Sequence, residues 1–232
     1  MIDLYALTSP NVQKIFIMLE ELELPYNMKL VDVWKGEQFE PAFLKINPNA
    51  KVPAIVDHDG PGGKPYTVIE SGAILLYLAD KTGKFLPADK RQRFDAIQWM
   101  MVQMTSIGPI FGQYVHFKNF GPPGSDYSVS RYTTEMKRLY GLLEQRLGQV
   151  PYLGGPDYTI ADMATFPWTR NHDAWGVKWE DNPNLGRWFN AISARPAVKR
   201  ALDKVGKITS SRDTATDDHK DRLFGRGRYA RA

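Results

Sequence analysis

The chain has 232 residues, 43% hydrophobic and 24% charged, with no apolar run near the ~20 residues of a membrane span, which excludes wholesale disorder and an integral membrane protein. Cysteine is absent, so disulfide frameworks, thiolate metal sites and cysteine nucleophiles are excluded, and any thiol chemistry must bring its sulfur on a small molecule. Residues 1–80 carry 6 basic and 11 acidic side chains (−5), residues 81–205 carry 17 and 11 (+6), and residues 206–232 carry 7 and 4 (+3); the asymmetry marks regions of different character.

The first eighty residues alternate strand and helix signals. Ile2-Asp3-Leu4-Tyr5-Ala6-Leu7 alternates apolar and polar, and Thr8-Ser9-Pro10-Asn11 supplies turn residues. Val12, Ile15, Phe16, Leu19 and Leu22 follow at helical spacing, and Pro25 ends that helix. Tyr26 to Val33 reads as a second strand, and Gln38 to Ile46 as a short helix ending at Asn47-Pro48-Asn49. Val52–Val56 and Tyr66–Ile69 are short β runs around the turn-rich Asp59-Gly60-Pro61-Gly62-Gly63, and Ser71 opens a helix through Ala73, Leu75, Leu76 and Leu78. The order β-α-β-α-β-β-α predicts a thioredoxin-like α/β domain over residues 1–80.

Residues 81–89 lack periodicity and contain Gly83 and Pro87, so they read as a linker. Residues 90–205 predict an all-helical bundle domain. Phe94, Ile97, Met101 and Met104 form one stripe, interrupted at Gly108-Pro109, and Val129, Tyr132, Met136, Leu139, Leu143 and Leu147 form a second. Shorter helices are expected over Thr159 to His172, Leu185 to Ala194 and Ala197 to Val205. Thr159-Ile160-Ala161-Asp162 has the spacing of a capping box, with Asp162 buried at the start of a core helix. The tail, residues 206–232, is polar and basic, with Arg222, Arg226, Arg228 and Arg231 uninterrupted by acids and Phe224 and Tyr229 among them. It is left unassigned, either flexible or lying over the site.

Three segments could carry chemistry. Ser9 and Asn11 begin a helix, where free N–H groups and the macrodipole favour an anion such as a thiolate; the alternative is that they only cap it. Val52-Pro53 is a candidate cis peptide that would turn the Val52 backbone outward to pair with an extended peptide; the alternative is a trans proline on an edge strand. Ser71 at a helix start suits a carboxylate and Glu70 an amine, the pairing an amino-acid head group needs. No Lys, Arg or His adjoins Asn11, so thiol activation falls to neutral donors and the helix N-terminus. His58, His116, His172 and His219 form no close pair, and no metal site is predicted.

Together these segments resemble the glutathione transferase superfamily over about residues 1–205. Within it the chain is similar to the Nu class and related bacterial disulfide-bond oxidoreductases, through Ser9-Pro10-Asn11, Lys35-Gly36-Glu37-Gln38-Phe39, the run from Asn47 to Asp57, that from Glu70 to Leu78, and Gly112-Gln113-Tyr114-Val115-His116-Phe117. The resemblance implies catalytic contacts from Asn11 and Ser9 to the glutathione sulfur. It implies binding by Gln38 near the glycyl end, by Lys51, Val52 and Pro53 along the cysteinyl unit, by Glu70 and Ser71 at the γ-glutamyl head, and by Arg131 from the helical domain. Gln113, Tyr114 and His116 would line the second-substrate side.

The implied activity is glutathione-dependent reduction of small disulfides, with two glutathiones or one glutathione disulfide per site. The alternatives are conjugation of glutathione to electrophiles, or a non-enzymatic binding or regulatory role for the same fold. The resemblance also implies a homodimer. Met1-Ile2-Asp3-Leu4-Tyr5 carries no secretory signal, which leads to a cytoplasmic expectation. No basic stripe interleaved with aromatics is present, so neither nucleic acid nor membrane is an expected partner.

Overall fold

The structure, a computed structural model, describes residues 1–225, so Arg226, Arg228, Tyr229 and Arg231 of the basic tail lie outside the described residues. Contacts group Met1–Ile74 with the chain from Arg200 onward as one unit, and Leu75–Lys199 as a second. The division falls within two helices.

In the first unit the elements follow the expected order: β1 (Ile2–Ala6), α1 (Pro10–Leu22), β2 (Tyr26–Leu30), a 3-10 turn (Glu37–Phe39), α2 (Pro41–Leu44), β3 (Ala54–Asp57), β4 (Tyr66–Ile69) and α3 (Ser71–Thr82). The sheet order is β2-β1-β3-β4, with β2 parallel to β1, and β3 antiparallel to both β1 and β4. In β1 the apolar residues Ile2, Leu4 and Ala6 are buried while Asp3 and Tyr5 are partly exposed, as a period of two requires. α1 is buried continuously from Val12 to Glu20, and that run includes Gln13, Lys14 and Glu20. Glu20 accepts from Tyr26 Oη at 2.8 Å and Arg200 Nε at 3.0 Å, and also from Lys204 Nζ. Burial alone would raise its carboxyl, but the hydrogen bonds from Lys204, Tyr26 and Arg200 hold it below the ordinary value.

The tail is ordered through residue 225. After α9 (Pro196–Gly206) the chain forms a 3-10 turn (Arg212–Thr214) and a helix over Asp217–Phe224, capped by Thr216, whose Oγ1 accepts from His219 N at 3.3 Å. Ser211 N donates to Asp32 Oδ2 at 3.2 Å. Phe224 meets Trp34 edge-on at 5.9 Å between centroids, and Arg222 lies over Phe39 at 5.5 Å. The segment therefore packs on residues 32–39. Its contacts are a cap, a hydrogen bond, one aromatic pair and a cation–aromatic pair, which leave no apolar period in the sequence to find.

The second unit is helical. α4 (Lys90–Val102) runs through a π-helical stretch (Gln103–Ile107) into α5 (Gly108–Phe120), followed by α6 (Asp126–Leu147), α7 (Ile160–Thr169) and α8 (Pro183–Ser193). Gly108-Pro109 does not interrupt the helix: the π-helical stretch leads straight into it, and Pro109 sits in the first turn of α5. The expected stripe at Phe94 and Met101 is also displaced: both are exposed, and Ala96, Met100, Gln103 and Ile107 are the buried set. The α6 stripe buries Met136, Leu139, Leu143 and Leu147 as expected and adds Tyr140, whose ring stacks on Phe111 at 5.0 Å.

The capping box at Thr159 forms. Asp162, fully buried, accepts from Leu153 N (2.8 Å), Thr159 N (2.9 Å), Thr159 Oγ1 (3.1 Å) and Trp188 Nε1 (2.8 Å). One carboxylate thus fixes the start of α7, the turn before it and a core tryptophan of α8. Among the described residues no helix is long and apolar enough to cross a membrane, and no group of three His, Asp or Glu is placed to hold a metal ion.

Candidate active site

The strand register brings the expected glutathione contacts of the first unit to one end of the sheet. Tyr5 of β1 pairs with Ala54 of β3, and Ala54 pairs with Ile69 of β4. On the other side Ala6 pairs with Leu30 of β2. The end of β1 therefore leads into Ser9 and Asn11, the start of β3 follows Val52-Pro53, the end of β4 leads into Glu70-Ser71, and the end of β2 leads toward Gln38. Segments far apart in sequence meet because the strand order β2-β1-β3-β4 sets these strand ends side by side.

Ser9 caps α1: its Oγ accepts from Val12 N at 3.4 Å, and Pro10 occupies the first helical position. An oxygen that accepts from the backbone keeps its own O–H to donate elsewhere. Asn11 follows in the same first turn, partly exposed. Ser9 therefore caps the helix at the anion-favouring position, and for this residue the two readings of the segment are compatible.

Gln38, on the 3-10 turn, is 2% exposed, and its Oε1 makes no hydrogen bond within the protein. A buried amide oxygen without a partner is costly, and a ligand N–H at this end of the sheet would satisfy it. The Val52–Pro53 bond is cis, and Val52 precedes Ala54, the first paired residue of β3. Lys51 is exposed, and its carbonyl accepts from Asn47 Nδ2 at 2.7 Å, which secures the turn before the cis bond; Pro53 is buried.

Glu70 is exposed and has φ +66°, and its Oε1 accepts from Asn49 Nδ2 at 3.1 Å. Ala50, in the turn next to it, has φ +54°. Left-handed backbone at residues other than glycine is costly and tends to gather where geometry serves function. Ser71, the first residue of α3, is 3% exposed, and its Oγ accepts from Lys14 Nζ at 3.2 Å.

Lys14 is the residue that sequence reasoning missed. It lies one turn beyond Asn11, is 0% exposed, and burial pulls its ammonium down to about 7 against the opposing field of Glu70. A signal was available: apolar residues at 12, 15–19 and 22 leave α1 little polar face for a lysine to occupy. Asn47 and Asn49 were read as turn residues, and both also hold site segments in place.

In the second unit, Arg131 stands exposed on α6. Gln113 is exposed and His116 partly so, and their spacing on α5 puts them on one face. Tyr114 is buried instead: its ring meets Trp175 edge-on at 5.9 Å, and its hydroxyl accepts from Lys118 Nζ at 2.9 Å.

Residues 8–81 match the family model described as glutathione S-transferase, N-terminal domain, and residues 100–196 match glutathione S-transferase, C-terminal domain. The disulfide-bond oxidoreductase YfcG of Escherichia coli is 46% identical over 206 residues, covering 88% of this chain and 96% of that protein. A glutathione transferase from Burkholderia graminis, solved with two glutathione molecules per subunit, is 48% identical with a TM-score of 0.82 over 89% of each chain. One from Pseudomonas putida, solved with one glutathione disulfide per subunit, is 39% identical with a TM-score of 0.80, covering 87% of this chain and 90% of that one. Two domain matches in the expected order and relatives similar along almost the whole length agree: the chain belongs to the glutathione S-transferase family.

Proposed function

We propose that this protein reduces small disulfides at the expense of glutathione, with the thiolate of one bound glutathione as the nucleophile. The observation that carries the reading is the first turn of α1, where Ser9 and Asn11 stand at the positive end of a capped helix, at the end of the sheet where the segments Val52-Pro53 and Glu70-Ser71 also join their strands. A free thiol near pKa ~8.5 is mostly protonated at neutral pH. Charge-assisted hydrogen bonds of ~1.5–3 kcal/mol from the Asn11 amide and the Ser9 hydroxyl would stabilise its anion by roughly one to two pKa units.

The thiolate attacks one sulfur of the disulfide, forming a glutathionyl mixed disulfide and expelling the other sulfur as a thiolate, which takes up a proton. The thiolate of a second glutathione attacks the glutathionyl sulfur and releases the remaining thiol. One disulfide is reduced to two thiols, and two glutathiones are oxidised to glutathione disulfide. No protein sulfur takes part, in keeping with a chain that has no cysteine. Relatives named disulfide-bond oxidoreductases, and related structures holding two glutathiones or one glutathione disulfide, support this stoichiometry.

In this reading Gln38 receives the glycyl end, the Val52 backbone pairs with the cysteinyl unit between Lys51 and Pro53, and Glu70 with Ser71 holds the γ-glutamyl head. Arg131 is assigned to glutathione, and Gln113, Tyr114 and His116 to the second substrate, on the family resemblance. A homodimer belongs to the same proposal; light scattering at twice the chain mass supports it, and a single-chain mass overturns it.

Hydroxyethyl disulfide and a chlorinated nitrobenzene, each assayed with glutathione, test the function. Turnover of the disulfide well above that of the aromatic is expected. The reverse order would make conjugation the principal reaction, and no glutathione binding in calorimetry would leave a non-enzymatic module.

A further inference from the structure

Lys14 and Ser71 form the one pair in the site region in which a fully buried cation meets a buried hydroxyl among the hydrogen bonds described, Nζ to Oγ at 3.2 Å. An ammonium only donates, so Ser71 Oγ accepts from it and keeps its own proton for another acceptor. Ser71 is also the first residue of α3, whose N-terminal N–H groups favour an anion.

From this geometry we infer that Lys14 is a positioning residue for the amino-acid head of glutathione, orienting the Ser71 hydroxyl toward the ligand's γ-glutamyl carboxylate and supplying a positive charge beneath it. This rests on the proposed glutathione reading of the site. The arrangement divides the zwitterion between two layers. Glu70, exposed and steered by Asn49, is the carboxylate for the ligand's ammonium. Lys14, beneath Ser71, is the cation for its carboxylate.

The energetics point the same way. Burial of a lysine is unfavourable unless its charge is used, and here burial pulls the ammonium down to about 7, with Glu70 the charge that acts against this. A ligand carboxylate on Ser71 adds a second negative charge near Nζ and favours the protonated form. Binding energy is therefore drawn from a charge that the ligand-free protein holds at a cost.

The test compares wild type with Lys14→Met, using S-methylglutathione and its analogue in which the γ-glutamyl α-carboxylate is a carboxamide. In wild type the carboxylate ligand binds at least tenfold tighter than the carboxamide. In Lys14→Met its affinity falls at least tenfold, the carboxamide binds as before, and in the disulfide assay KM for glutathione rises with kcat within about twofold. Equal loss for both ligands, or no loss, overturns the role of Lys14 while leaving the glutathione reading intact. Failure of wild type to bind S-methylglutathione overturns both. Should Lys14→Met not fold, the nitrogen-15 signal of Lys14 Nζ in wild type carries the test. A shift on adding S-methylglutathione but not the carboxamide supports the inference, and the same response to both, or to neither, overturns it.

Discussion

Asn49 Nδ2 donates to Glu70 Oε1 at 3.1 Å, tying the carboxylate at the start of α3 to the turn that leads into the Val52–Pro53 bond. Glu70 has φ +66°. Its carboxylate is thus aimed before a ligand arrives, although the side chain is exposed. Glu70→Gln removes the charge and is expected to weaken S-methylglutathione binding roughly tenfold, about the contribution of one charge-assisted hydrogen bond. Asn49→Ala frees the carboxylate without removing it, and a loss of about two- to fivefold is expected. Calorimetry that ranks the two variants in the opposite order would contradict this division of roles.

Asp162 is the keystone of the helical unit. Asp162→Asn turns an N–H₂ group toward donors that now meet a carboxylate, among them Thr159 N or Trp188 Nε1. With buried unsatisfied groups costing ~1–3 kcal/mol each, a loss of about 3 kcal/mol or more is expected in chemical denaturation. Burial raises the Asp162 carboxyl to about 6, against hydrogen bonds from Leu153, Trp188 and Thr159 that lower it. A raised folded value means that its favourable contribution is present below the ordinary value of 3.8 and is lost as pH rises through about 6. The stability gap between wild type and Asp162→Asn should therefore narrow from pH 4 to pH 6 or so; a gap that widens would contradict the sign.

Lys14 has the opposite linkage. Its folded value, about 7, lies below the ordinary 10.5, so its contribution is present above that ordinary value and is lost as pH falls through about 7. Ligand-free Lys14→Met should gain stability relative to wild type as pH falls from about 10 to about 7. Denaturation curves that run parallel over this range would mean that Lys14 is not desolvated.

The tail beyond α9 is expected to matter for the loop it covers. Removing the chain after Lys207 takes away the Ser211–Asp32 hydrogen bond and the Phe224–Trp34 and Arg222–Phe39 contacts. Aromatic and cation–aromatic contacts contribute ~0.5–1.5 kcal/mol each, so Tm should fall by only a few degrees, about 2–6 °C. Hydrogen exchange over residues 32–39, which include Gln38, should rise more than elsewhere. Unchanged exchange in that loop would show that the tail does not hold it.

The sequence made the order of strands and helices legible because each element carries its own period or cap: alternation in β1, Ser9-Pro10 before α1, and Thr159 with Asp162 before α7. The site segments were legible for the same reason, since they sit at turns whose residue types are constrained. Lys14 was not, because a charge inside a helix reads as solvated until the burial of the whole helix is known. The α4 stripe was displaced because the buried face runs through Ala96, Met100, Gln103 and Ile107, a helical spacing in which a small and a polar residue carry no apolar signal. Gln113, Tyr114 and His116 come from the family resemblance, and no period in the sequence marks Tyr114 as the buried one of the three.

The central claim is that neutral donors at the first turn of α1, chiefly Asn11, hold a glutathione thiolate that attacks a disulfide. The pH–rate profile of wild type, Asn11→Ala and Ser9→Ala with hydroxyethyl disulfide tests it most directly. Asn11→Ala should lose at least tenfold in turnover near neutrality and recover partly at high pH, where the thiol ionises unaided, while Ser9→Ala loses less. Abolition of activity by Ser9→Ala with Asn11→Ala nearly unaffected would contradict the account and assign thiol activation to the serine.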